Sequence, residues 1–233
     1  MMLKDYIQAS QKRVMEQVNN FYTSTGIHVY FKDQILDDSV DVEKIVSRLE
    51  SLIPTHLLSE VEMIIIGHFD EFEERNLTAF YKDGAIHVSN IQIGEDELLE
   101  NMIHEAAHAV EAAYGQVIYA DAKIKDEFLR KREHLYNLLW SVGFKAPKRL
   151  FMDPEYDQEF DEFLLKDVGY DKLSKIARGL FINPYAPTAL SEYFATGFTE
   201  FYMFPNEHTY LKQISPALYN KLEKINNIDF LDI

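Results

Sequence analysis

The segment ELLENMIHEAAHAVEAAYG (97–115) places the tightest constraint on this 233-residue chain. Leu99, Ile103, Ala106, Val110 and Ala113 recur at helical spacing and predict a helix with a buried back. Glu95, Asp96 and Glu97 crowd its expected first turn, where the helix dipole favours negative charge. On that helix His104 and His108 stand four residues apart and point the same way, one turn from each other. Two imidazole nitrogens are thereby set where a single metal ion can take both. Glu105 lies about 100° around the helix from His104. From there its carboxylate can reach a water on the metal without being a ligand itself. The small side chains of Ala106 and Ala107 let other groups come close. His-Glu-x-x-His on a helix reads as a zinc site with the glutamate as general base.

Two histidines hold zinc poorly; catalytic sites take three protein ligands and leave a fourth position for water. The chain has no cysteine, so a thiolate ligand and any disulfide are excluded. A third histidine in the long metzincin spacing would need glycine at 111 and histidine at 114, where the chain has Glu111 and Tyr114. The third ligand is then a remote side chain. The best candidate is Glu192 in NPYAPTALSEYFATGFTEFYMFP (183–205). There Pro187-Thr188 offers a helix start, and Phe194, Phe198, Phe201 and Tyr202 form an apolar stripe. Glu192 falls off that stripe, with Thr196 and Thr199. Glu200, two turns further on, is its rival.

The rest of the pattern predicts an α+β chain. Residues 3–20 and Asp41–Leu52 read as helices. GIHVYFKD (26–33) and VEMIIIGHF (61–69) read as strands. AFYKDGAIHVSN (79–90) reads as a hairpin turning at Asp83-Gly84. After Gly115 the chain is mostly helical: Asp126–Trp140, a helix capped by Asp153-Pro154 and ending near Gly169, a short one ending near Gly179, then about 189–203 and 215–226. At 47% hydrophobic and 13% aromatic residues, the chain has material for a sizeable core. Its net charge of −16 argues against nucleic acid as a partner. No apolar run reaches the ~18 residues of a membrane span, and the first residues lack a secretory stretch. No membrane partner and a cytoplasmic location are therefore expected. The acidic run DPEYDQEFDEF (153–163) reads as a solvated helix face with Phe160, Phe163 and Leu164 buried.

HEAAHAVEAAYG and NPYAPTALSEYFATGF together resemble the gluzincin metallopeptidases, most closely the catalytic domain family of anthrax lethal factor. The resemblance implies a zincin-like fold: a small mixed sheet and the active-site helix in an α/β lobe (about 1–115), and a mainly helical lobe (about 116–233), within one metallopeptidase domain. It implies Zn2+ held by His104, His108 and Glu192, the last in Glu192-Tyr193-Phe194-Ala195. It implies Glu105 as general base, and Tyr185, seven residues before Glu192, as a hydroxyl that assists the tetrahedral intermediate. The chain departs from the family one turn after the ligand glutamate. Thr196 stands where the family carries an acid bonded to a ligand histidine; Glu200 and Asp121 are candidates for that role. The expectation is a zinc metalloendopeptidase acting on a peptide or protein substrate, with Ala85–Ser89 pairing with the extended peptide. A noncatalytic zinc-binding module and a zinc hydrolase of a small amide or epoxide are the alternatives. His28, His56, His68, His87, His134 and His208 read as structural or surface residues, with His68 and His87 nearest the site.

Overall fold

The structure, a computed structural model, describes residues 20–37, 39–75, 77–91 and 94–231. The helix expected over 3–20 lies outside them except for Asn20, which opens a strand. The architecture is mixed α and β, and the chain divides into two compact units, Met1–Ala109 and Val110–Ile233.

The first unit holds a five-stranded sheet: β1 (Asn20–Tyr22), β2 (His28–Phe31), β3 (Met63–Gly67), β4 (Ala79–Lys82) and β5 (Ala85–Ser89), ordered β1-β2-β3-β5-β4. β2, β3 and β5 run parallel, and antiparallel β1 and β4 form the edges. Alternation decides which face is buried. Ile64, Ile66, Ile86 and Val88 are fully buried, while Met63, Ile65 and His87 between them are only partly so. The β4–β5 hairpin turns at Asp83 and Gly84, both with positive φ, as a two-residue type I′ turn requires. β5 is paired on both sides, which corrects the expectation that Ala85–Ser89 takes a peptide strand. The sheet edge beside it belongs to β4.

Between β2 and β3 run α1 (Val42–Leu52) and α2 (Thr55–Leu58); α3 (Asp70–Arg75) follows β3. The Asp41 carboxylate caps α1 by accepting the Lys44 N–H at 3.1 Å. The stripe Val42, Ile45, Val46 and Leu49 is buried.

α4 (Glu95–Tyr119) carries the histidine motif, and the division between the units falls within it. Leu99, Ile103, Ala106 and Val110 are fully buried as expected, but Ala113 is exposed. The helix continues through Gly115. Ile118 is fully buried, and the Tyr119 hydroxyl donates to Glu111 at 2.5 Å across the last two turns.

The second unit continues with α5 (Lys123–Ser141), α6 (Lys148–Met152), α7 (Gln158–Glu162) leading into a π-helical stretch Phe163–Val168, α8 (Tyr170–Ile176), α9 (Leu190–Met203), α10 (Thr209–Ile214) and α11 (Pro216–Ile225). α5 packs against α6, α9 and α11. The expected cap at Asp153 is instead the end of α6. Asp157 caps α7, its carboxylate accepting the Phe160 N–H at 2.8 Å. Phe160, Phe163 and Leu164 are buried. No helix among the described residues is long and apolar enough to cross a membrane.

Candidate metal centre

His104 and His108 project from α4 one turn apart, both half-buried, with ring centroids 5.0 Å apart and planes at 77°. Glu105 between them is buried, as are Ala106 and Ala107. Glu192 is the third residue of α9. The last turn of α4 meets α9 where Tyr119 packs edge-on against Phe194, centroids 6.3 Å apart. One ligand atom each from His104, His108 and Glu192 lie within 4.8 Å of one another. Donor atoms sharing a tetrahedral zinc at ~2.0–2.1 Å lie about 3.3 Å apart, which is inside that limit. Two imidazole nitrogens and a carboxylate oxygen also suit zinc chemically. Glu200 is not a member of this group, nor is any other histidine among the described residues.

α9 is buried on more sides than its stripe suggests. Tyr193 through Thr199 are all buried, Thr196 and Thr199 included. Thr199 returns its hydroxyl to the Ala195 carbonyl at 2.8 Å, whereas Thr196 Oγ1 is buried without a hydrogen-bond partner. Thr196 thus makes no bond to His104 or His108. Asp121 is engaged by Lys221 at 3.4 Å and Lys123 at 3.8 Å.

Tyr185 sits in a turn built by its neighbours. The Asn183 side-chain oxygen accepts the N–H groups of Tyr185 and Ala186 at 3.0 and 2.8 Å. Buried Thr188 donates its N–H and its hydroxyl to the Tyr185 carbonyl, each at 2.9 Å. Burial pushes the Tyr185 phenol well above its usual range, helped by the Glu192 carboxylate and then by Asp161. The group therefore stays a protonated donor at neutral pH. Its ring meets Tyr170 edge-on, centroids 6.3 Å apart. Tyr170 in turn donates to Asp161 at 3.4 Å, and Tyr156 donates to the other oxygen of that carboxylate at 3.3 Å. Burial likewise raises the Tyr170 phenol, followed by the charge of Asp161. The pattern of the chain does not point to Tyr156, Asp161 and Tyr170. The Asn183-Pro184 pair is the readable sign of an Asx-type turn holding Tyr185.

His87 lies on β5, stacked on Phe80 at 4.4 Å and edge-on to Phe69 at 5.0 Å, with Nδ1 buried and unpaired. Burial lowers its pKa. His68 is exposed and 3.6 Å from Glu73. Neither joins the metal group. Protein-family models, curated proteins and solved structures were all compared with the chain, and none matches it.

Proposed function

We propose that this chain is a zinc-dependent metallopeptidase of zincin-like fold, hydrolysing peptide bonds at the site marked by His104, His108 and Glu192. The observation that carries the reading is the convergence of three ligand atoms within 4.8 Å, two from α4 and one from α9. The resemblance of both segments to the gluzincins supports it.

A zinc ion held by His104, His108 and Glu192 would supply Lewis acidity towards a substrate carbonyl and a water. The buried Glu105 carboxylate takes the proton of the attacking water and passes it to the leaving nitrogen. The Tyr185 hydroxyl, a phenol protonated at neutral pH, donates to the developing oxyanion. The edge strand β4 offers backbone groups to an extended substrate.

Metal analysis and digestion of a peptide library test this reading. Wild type should hold one zinc and cleave. Glu192→Ala should lose the metal, and Glu105→Gln should keep it while turnover falls by roughly 10²–10⁴. Zinc retained in Glu192→Ala but lost in Glu200→Ala moves the third ligand to Glu200. Zinc bound with no cleavage of any peptide overturns the peptidase reading in favour of a noncatalytic zinc-binding module or a hydrolase of a small amide or epoxide.

A further inference from the structure

A metal ligand at the start of a helix needs that start to be held still. α9 has no side-chain cap, because Ala189 stands at its N-cap position. Neighbouring elements hold its first turn instead. The Leu190 N–H donates to the Pro154 carbonyl at 2.8 Å. The hydroxyl of fully buried Tyr193, the residue after Glu192, donates to Glu127 Oε1 at 2.9 Å.

Glu127 is itself buried on α5 and also accepts the N–H groups of Ala217 and Leu218, at 2.8 and 3.2 Å, in the first turn of α11. One carboxylate therefore ties α5, α9 and α11 together. One turn further along α5, the Lys131 ammonium donates to Ser215 Oγ at 2.8 Å and lies 4.9 Å from the centre of the Tyr193 ring. The Tyr193 ring is thus held at its hydroxyl and on its face.

We propose that Glu127 and Tyr193 are positioning residues for Glu192, and that their hydrogen bond sets the affinity of the metal centre. This rests on Glu192 being a metal ligand. A free first turn would let the carboxylate sample many positions, and metal binding would then have to order it. The Tyr193–Glu127 bond removes that freedom beforehand.

The test is a chelator-competition titration with zinc on four proteins: wild type, Tyr193→Phe, Tyr202→Phe and Glu192→Ala. Tyr202→Phe is the control. It also deletes a hydroxyl bond from α9, the one to Asn226 at 3.1 Å, but at the far end of the helix. Tyr193→Phe should weaken zinc binding about tenfold, the low end of the loss seen when a group orienting a metal ligand is removed. Tyr202→Phe should lower the apo melting temperature and leave zinc affinity within about twofold, well inside that tenfold effect. Unchanged affinity in Tyr193→Phe, or equal losses in both variants, overturns the proposal and makes the bond purely structural. Full zinc affinity in Glu192→Ala instead overturns the ligand assignment. If Tyr193→Phe does not fold, Glu127→Asp takes its place, keeping the charge while withdrawing the acceptor by one methylene. The same loss is then expected, and unchanged affinity again overturns the proposal.

Discussion

The two units of the chain bury different things. In the first, the buried polar side chains are few: Ser89, Asn90 and Glu105 among the described residues. Its order comes from alternating strands, a two-residue turn and one capped amphipathic helix. In the second, Glu127, Lys131, Arg132 and Lys221 all lie buried among short helices. Arg132 is fully buried against the Phe160 ring and donates to the carbonyls of Leu150 and Asp153, both at 2.6 Å. Where helices are too short to hold themselves, buried charges that bond to helix ends fix their positions. The drawback of that design is sensitivity, since each such group strands its partners when removed.

The sharpest test of the contrast pairs one buried polar group from each unit. Glu127→Ala removes the acceptor of Tyr193, Ala217 and Leu218 at once. Urea unfolding should show a loss of about 3–5 kcal/mol, since three donors are left unmet at about 1–3 kcal/mol each. Asn90→Ala removes one bond, from Nδ2 to the Gln34 carbonyl at 2.9 Å. It should cost about 1 kcal/mol. Equal losses would break the comparison.

Packing in the second unit gives the next effect. A Cβ on Gly197 would clash with Leu218 Cδ2, where α9 meets α11. Gly197→Ala should cost about 1–3 kcal/mol by overpacking, despite improved helix propensity. A stabilised variant by thermal denaturation would show that this contact has room to relax.

The smallest effect belongs to the first unit and to acid. Burial pushes Glu50 up, but the hydroxyls of Thr23, Thr25 and Ser24 and the Thr25 N–H outweigh it and hold its pKa down to about 2. A carboxylate with a depressed folded pKa stabilises the fold above its unfolded value of about 4.5 and loses that contribution as pH falls towards about 2. The stability gap between wild type and Glu50→Gln should therefore be constant from pH 7 to 5 and shrink below that. A gap that persists at pH 2 would mean the hydroxyl bonds do not depend on the charge.

Much of the first unit is legible because its signals are local. Asp83-Gly84 names its own turn, Asp41 its own helix start, and the β-branched run at 63–67 its own strand. β1 escapes a sequence reading because three residues carry too little pattern to stand out. The second unit is harder. Asp153-Pro154 has the form of a helix start, but Arg132 uses the Asp153 carbonyl to close α6, and Asp157 caps the next helix. The short helices α6 and α10 have no periodicity long enough to read.

The candidate site divides in the same way. The spacing of His104, Glu105 and His108 is a property of one helix, so the sequence alone determined that two imidazoles share a face. It left Glu192 a candidate beside Glu200, since a carboxylate on a helix says nothing about what it faces. Only the tertiary structure groups Glu192, and not Glu200, with the histidines. It also decided that the Thr196 hydroxyl is left without a partner, and that Tyr170 and Asp161 stand beside Tyr185. The physical reason is range. A helix sets neighbours within a turn through backbone bonds, whereas residues far apart in the chain meet only where packing and buried hydrogen bonds bring their elements together.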